Sequence, residues 1–329
     1  MLKDMMPHFD LYQPDSIEAA LDLAERLGPD AWLLAAGQDT YDWLKNRTKR
    51  TSAVIDLTGI AAMKGIRETD AGLEIGALTT LSVIESDPIV TQRYSLLSSA
   101  AGRVASPQIR NVGTLGGNLC QDTRCWYYRG GVDCYRAGGN MCYADTPQGQ
   151  NREHALFGAS RCVAVTPSDT ATAAVALDAS MVIRSRKGER VVPAEEFFIG
   201  PALDIRRMNC LKPGEILTSV RLPKIWAGAK FYFEKVADRA AWDFALLSVA
   251  AALLMEGDTI RSARIVCGAV ECVPRRLLDV EQAITGQPKN EALAMRAGKL
   301  AAAGAKPLNL NHFKMPLMEN LVRRAIRDA

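Results

Sequence analysis

Ser106-Pro-Gln-Ile-Arg-Asn-Val-Gly-Thr-Leu-Gly-Gly-Asn118 sets Gly113, Gly116 and Gly117 among small polar side chains. Positions without bulk let backbone N–H groups come close to a phosphate or to the edge of a flavin. Glycine-rich turns mark plain loops more often than ligand sites, so the tract is read together with its surroundings. Just upstream, Leu73 to Ile75 reads as a strand, Leu81 to Glu85 as a short helix and Tyr94 to Val104 as a more apolar helix. The chain opens as β-α-β, with a strand near His8 to Leu11 and a helix capped by Asp15, with Glu18 three positions on. Ile17, Ala20, Leu21 and Ala24 share one face of that helix, and a strand from Trp32 to Ala36 follows. Gly37 ends it, Tyr41 to Asn46 reads as helical, and Ala53 to Leu57 as a further strand.

Downstream of the tract, Gln121 to Ser160 carries many glycines and shows neither a period of 2 nor one of 3.6. A loop of that length is costly in a compact domain unless function or a cross-link orders it. Order resumes with an Ala-rich helix at Ala171 to Leu177 and strands at Met181 to Arg184 and Ile216 to Leu222. After Pro223 come the strand Lys230 to Val236, the apolar runs Ala245 to Met255 and Arg261 to Ala269, and helices around Val280 to Ala303 and Leu317 to Ile326. The expected class is α+β. Three units are expected: 1–60; 61–224, interrupted by a loop insertion at about 120–162; and 225–329.

The 329 residues carry 40 basic and 37 acidic side chains in a mixed pattern, with no basic block or Arg run interleaved with aromatics, so nucleic acid is not expected as a partner. The N-terminus lacks an apolar core and places Asp4 and Asp10 early, and no window approaches about 18 apolar residues in a row. A folded, soluble chain with no signal peptide and no membrane span is expected.

Cys120, Cys125, Cys134, Cys142 and Cys162 crowd into the irregular stretch, while Cys210, Cys267 and Cys272 lie apart. Without an export signal, a cysteine cluster points to metal or redox chemistry more than to disulfides. Cys125, Cys134, Cys142 and Cys162 follow C-x8-C-x7-C-x19-C, which matches neither ferredoxin spacings nor the paired cysteines of zinc ribbons. Zinc, two disulfides and an iron–sulfur cluster all stay open on spacing alone. The scarcity of histidine (His8, His154, His312) argues against a mixed Cys/His zinc site. Trp126, Tyr127, Tyr128, Tyr135 and Tyr143 flank the thiols, and the reading preferred for them is packing of a loop with little core of its own. No Ser-His-Asp order and no paired catalytic carboxylates stand out, and G-x-G-x-x-G is absent.

The whole string from Ser106 to Asn118 closely resembles the second flavin-contacting segment of the FAD-binding (medium) subunits and domains of xanthine oxidase-family molybdenum hydroxylases. These share the vanillyl-alcohol-oxidase-type (PCMH-type) FAD fold in two subdomains, followed by a C-terminal α+β domain of a sheet with flanking helices. The resemblance runs along nearly the entire chain. Ala35-Ala-Gly-Gln-Asp-Thr40 is similar to the family's first pyrophosphate loop, with Ala36 where a glycine is usual and Thr40 where a leucine is usual. Ser168-Asp169 resembles a segment whose Asp contacts FAD, Ile216, Leu217 and Lys235 match segments near the isoalloxazine ring, and Asn311 to Arg324 resembles the end of the family's C-terminal domain. The resemblance thus implies FAD contacts from Ala35, Ala36, Gly37, Gln38, Asp39, Thr40, Ile109, Asn111, Gly113, Thr114, Gly116, Gly117, Asn118, Ser168, Asp169, Ile216, Leu217 and Lys235.

The insertion opening with Gln121-Asp-Thr-Arg-Cys125 is similar to that in the flavin subunits of 4-hydroxybenzoyl-CoA reductases and periplasmic aldehyde oxidoreductases, where it carries a [4Fe-4S] cluster. This implies Cys125, Cys134, Cys142 and Cys162 as ligands and leaves Cys120 as a buried thiol near the flavin. Cys210, Cys267 and Cys272 read as ordinary core or strand cysteines. The function so implied is an electron-transfer subunit of an oxidoreductase, relaying electrons through FAD and [4Fe-4S]. Its implied partners are a large subunit with the molybdenum cofactor, a small subunit with two [2Fe-2S] clusters, and an external carrier such as ferredoxin. The expected compartment is the cytoplasm, or the periplasm by co-export with a twin-arginine-bearing partner. The competing reading is a stand-alone flavin oxidase whose cysteine loop holds structural zinc or disulfides.

Overall fold

Short apolar runs separated by amphipathic helices fold as parallel βαβ, because the crossover helix must cover the sheet face it leaves. In the computed structural model, which describes residues 5–329, the first unit does this with β1 (Asp10–Tyr12), α1 (Ile17–Leu27), β2 (Ala31–Leu34), α2 (Thr40–Lys45) and β3 (Ala53–Asp56). Its three strands run parallel in the order β1-β3-β2. Met1 to Asp4, part of the expected 1–60 unit, lie outside the described residues. The cap of α1 is Ser16 rather than Asp15: Ser16 is the last residue with extended backbone, and its Oγ accepts from the Ala19 N–H at 3.4 Å.

The second unit holds β4 (Ile66–Thr69), β5 (Gly72–Gly76), the helices α3 (Leu81–Ser86), α4 (Pro88–Arg93), α5 (Ser95–Gly102), α6 (Pro107–Arg110) and α7 (Leu115–Cys120), and, inside the cysteine stretch, α8 (Trp126–Arg129). It continues with α9 (Asp169–Ala176), β6 (Ser180–Ser185), β7 (Gly188–Pro193), α10 (Ala194–Phe197) and β8 (Ile216–Pro223). The strands form an antiparallel sheet in the order β4-β5-β8-β6-β7. Part of the glycine-rich tract is the first turn of α7, not a bare loop, since the Thr114 hydroxyl accepts from the Gly117 N–H at 3.1 Å and starts the helix.

At Gly72 φ is +146°, and a Cβ there would lie 2.0 Å from the Leu222 carbonyl oxygen of the paired strand β8. Backbone cannot swing aside as a side chain can. Gly72→Ala is therefore expected to cost about 3 kcal/mol, read as a lower urea midpoint at unchanged slope.

The third sheet, β12-β11-β10-β9, comprises β9 (Lys230–Val236), β10 (Leu247–Glu256), β11 (Thr259–Gly268) and β12 (Arg275–Arg276), all antiparallel. Its helices are α11 (Leu278–Ile284), α12 (Glu291–Ala301) and α13 (Lys314–Asp328). The expected single helical stretch from Val280 to Ala303 divides because Gly286 turns with φ +76° and Asn290 caps a new start. Period 2 sends Val249, Ala251 and Leu253 of β10 toward these helices, and Ala250 and Ala252 toward α9 and the core of the first two units. The small residues allow close approach: a Cβ on Gly268 would meet the hydroxyls of Ser248 and Thr172 at 2.4 and 2.5 Å. Among the described residues no helix is long and apolar enough to cross a membrane.

Candidate functional site

The loop after β2 and the loop before α7 meet where the first two units join. Ala36 and Gly37 both take left-handed backbone, φ +65° and +77°. For an alanine that conformation costs about 1–2 kcal/mol, which is the physical reason a glycine suits position 36. The tract's glycines serve close packing. A Cβ on Gly116 would sit 2.9 Å from the Ala77 Cβ, one on Gly113 would sit 2.9 Å from the Ile109 carbonyl, and one on Gly117 would sit 3.4 Å from the Ala35 carbonyl of the other loop.

Between these loops, α9 and the ends of β8 and β9 lies a cleft of about 940 Å³, at the upper end of small-ligand sites and large enough for a dinucleotide. It is lined by Ala35, Gln38, Asp39, Thr40, Ile109, Gly113, Thr114, Gly116, Gly117, Asn118, Asp169, Ile216, Leu217 and Lys235. Of the residues expected to touch FAD, Ala36, Gly37, Asn111 and Ser168 stand back from the lining. Ser168 works one step behind: its hydroxyl and that of Thr170 each donate to Asn118 Oδ1 at 2.6 Å, and Ser168 caps α9 by accepting from the Ala171 N–H. Cys120 lines the cleft at the end of α7, and burial pushes its thiol up to about 12.

Two carboxylates at the cleft are already engaged by the protein. Asp169 is buried and accepts from Lys235 Nζ at 2.6 Å, and the same ammonium donates to the Arg103 carbonyl at 3.0 Å. Burial raises the Asp169 carboxyl, and Lys235 pulls the other way. Asp39 accepts from Arg124 and Arg129 (2.8 and 2.9 Å) through Oδ1, and from the Trp43 indole N–H (2.9 Å) through Oδ2. The guanidinium of Arg129 stacks 4.0 Å from the Trp43 ring, and that of Arg124 lies 4.6 Å from Phe244. Asp39 thus ties the first loop to the cysteine stretch.

The four spaced cysteines converge. Cys125, Cys134, Cys142 and Cys162 line one small cavity together with Tyr128, Arg136 and His154. All four are free thiols, and among the described residues no group of three or more His, Cys, Asp or Glu side chains is placed to hold a metal ion. Burial pushes Cys125 up to about 12, and backbone N–H groups of Tyr128 and Tyr127 oppose this. Burial likewise raises Cys142, against N–H groups of Val163 and Asp145. These donors are what a buried thiolate needs. Arg136 Nε and His154 Nδ1 are buried without a partner at this cavity.

Tyr127 stacks on Tyr143 at 6.2 Å and Tyr128 packs at a tilt of 52° against Trp43 at 5.2 Å, so these rings do pack the loop. Trp126 does not. It is 68% exposed and donates its indole N–H to Glu153, because α8 turns it outward beside the cleft. Cys267 is buried in β11, but Cys210 is only half-buried and outside any strand, and Cys272 packs against Cys162 and Met208 as part of the thiol surroundings.

Arg124, Arg129, Trp43, Phe244 and His154 were not picked out from sequence. The one available signal was basic residues either side of Cys125. Their partners lie dozens of positions away.

Lys314, at the start of α13, is fully buried and donates to the carbonyls of His154 and Ala269 at 3.0 and 2.9 Å, anchoring the cysteine stretch to the third unit. Burial pulls its ammonium down to about 7 from the usual 10.5. Between those values the unfolded chain binds a proton that the folded chain does not. Stability is therefore expected to rise with pH from about 7 upward, by at most about 1.4 kcal/mol per pH unit. Denaturation midpoints at pH 7 and 9 should show this slope, and Lys314→Met should flatten it.

The family described as the FAD binding domain in molybdopterin dehydrogenase matches residues 7–225, and that described as the CO dehydrogenase flavoprotein C-terminal domain matches residues 232–329. The chain is 35% identical over 317 residues to the aldehyde oxidoreductase FAD-binding subunit PaoB of Escherichia coli (strain K12), covering 95% of both chains. It is 27% identical to the carbon monoxide dehydrogenase medium chain of Hydrogenophaga pseudoflava, covering 98% of this chain and 97% of that one. Among solved structures it resembles carbon monoxide dehydrogenase from Hydrogenophaga pseudoflava lacking the Mo-pyranopterin moiety (TM-score 0.77, 27% identity, 98% and 97% covered). It also resembles quinoline 2-oxidoreductase from Pseudomonas putida 86 (TM-score 0.77, 26% identity, 99% and 98% covered).

Proposed function

This chain belongs to the FAD-binding medium-subunit family of xanthine oxidase-type molybdenum hydroxylases, an oxidoreductase subunit with that family's FAD fold, and on that premise we propose that it is an electron relay with two stations, FAD in the cleft and a [4Fe-4S] cluster on Cys125, Cys134, Cys142 and Cys162. The observation that carries the reading is the convergence of the four thiols on one cavity at the cleft's edge. Arg124 lines the cleft and Cys125 the cavity, and adjacent Cα atoms are about 3.8 Å apart. FAD supplies one- and two-electron chemistry and a cluster supplies one-electron steps.

The chain's own groups hold and insulate these stations. Gly113, Thr114, Gly116 and Gly117 line the cleft with little bulk, Ile216 and Leu217 supply apolar wall, and Lys235 donates to Asp169 beside it. Asn118, Ser168 and Thr170 lock the two segments together. The residue ranges 1–60, 61–224 and 225–329 act as two flavin subdomains and a C-terminal domain. The proposed assembly is a heterotrimer with a molybdenum-cofactor large subunit and a [2Fe-2S] small subunit, the cluster on this chain facing an external carrier such as ferredoxin. Exposed Trp126, directly after Cys125, gives that carrier an aromatic landing point. The cytoplasm is the proposed compartment, or the periplasm by co-export with a partner. Iron, acid-labile sulfide, zinc and flavin assayed on anaerobically purified protein test the reading. About four iron and four sulfide per flavin is the expected result; zinc or no metal would leave a flavoprotein without the second station.

A further inference from the structure

We propose that His154 is a positioning residue for the cluster, its Nε2–H donating to Cys125 Sγ so as to orient that ligand and raise the cluster's reduction potential. This rests on the reading that the thiol cavity holds [4Fe-4S]. His154 is 3% exposed, lines the cavity, and places Nε2 3.3 Å from Cys125 Sγ. The backbone that carries the ring is held on both sides. Its N–H donates to the Asn151 carbonyl, and its carbonyl accepts from both Lys314 Nζ and Asn311 Nδ2 at 3.0 Å. The next residue, Ala155, donates to the carbonyl of Val163, the neighbour of Cys162, so one backbone clamp sets both the imidazole and a second thiol.

The tautomer follows from the ligand's chemistry. A thiolate bound to iron carries no proton, so the hydrogen in the His154–Cys125 contact belongs to Nε2. Nδ1 is then a bare acceptor, and it is the atom buried without a partner; an unmet acceptor is tolerated better than an unmet N–H. A hydrogen bond to a ligating sulfur draws off charge and favours the reduced, more negative cluster. None of this needs His154 to bind iron or to titrate.

The test uses the full chain, purified anaerobically, and compares wild type, His154→Leu and His154→Gln by iron and sulfide content and by a redox titration followed by EPR. His154→Leu should keep its iron but shift the reduction equilibrium about tenfold toward the oxidised cluster, a fall of about 59 mV for one electron. His154→Gln, which restores an N–H donor, should recover most of that shift. Should the leucine variant not fold, wild type labelled with 15N-histidine decides: pulsed EPR of the reduced cluster should show a weak nitrogen coupling, transmitted across the hydrogen bond. No coupling, or an unchanged potential with iron retained, overturns the role of His154 and leaves the cluster standing. A strong coupling makes the imidazole a ligand and also overturns it. Flavin without iron in wild type overturns the cluster reading itself.

Discussion

Cys125→Ala is expected to lower iron and acid-labile sulfide from about four per chain to near zero while flavin stays bound. Three thiols would leave one iron of the proposed cluster open in a cavity whose other walls include tyrosines, Arg136 and His154. If the proposed cluster cross-links the stretch from Gln121 to Ser168, which holds only α8 and one further helical turn, its loss would also loosen that stretch. Proteolysis should then cut there first. Cys272→Ala is the control. That thiol is buried next to Cys162 but does not line the cavity, so its loss should leave the iron count unchanged. Full iron in the Cys125 variant would refute the ligand assignment.

The second large effect is expected at the buried ion pair. Lys235→Met leaves the Asp169 carboxyl without its cation in the protein interior, and breaking a buried pair in this way costs about 3–5 kcal/mol. A urea midpoint measures it, and the flavin-to-protein ratio should fall with it because both residues line the cleft. The sign with pH separates this cause from simple misfit. Burial raises the Asp169 carboxyl in the folded chain, so without Lys235 the folded state takes up a proton more readily than the unfolded state. The variant should regain stability as pH falls and lose it as pH rises. Lys235→Met combined with Asp169→Asn, which removes the charge, should recover most of the loss at neutral pH.

Elements with strong local signals were legible in the chain. The 3.6 period of Ile17, Ala20, Leu21 and Ala24 marks α1, and the apolar run before Met255 marks β10. Half-exposed strands such as β4 and β7 were not, because their alternation is weak and their pairing partners are all that orders them. The choice between Asp15 and Ser16 as a cap turned on one residue's backbone angle, which no spacing rule resolves.

The same division holds at the site. The family, the glycine-rich tract at the cleft and the grouping of four cysteines could be read from the chain alone, because these depend on residue type and short spacing. Folding is what brings Asp39 to Arg124 and Arg129, Lys235 to Asp169, and His154 to Cys125. Each of these contacts joins segments separated by 29 to 90 positions. A charged or polar group finds such a partner only when the burial of unrelated apolar surfaces has carried both to one place, so the pairing is written in the packing of the whole chain and not in any stretch of it.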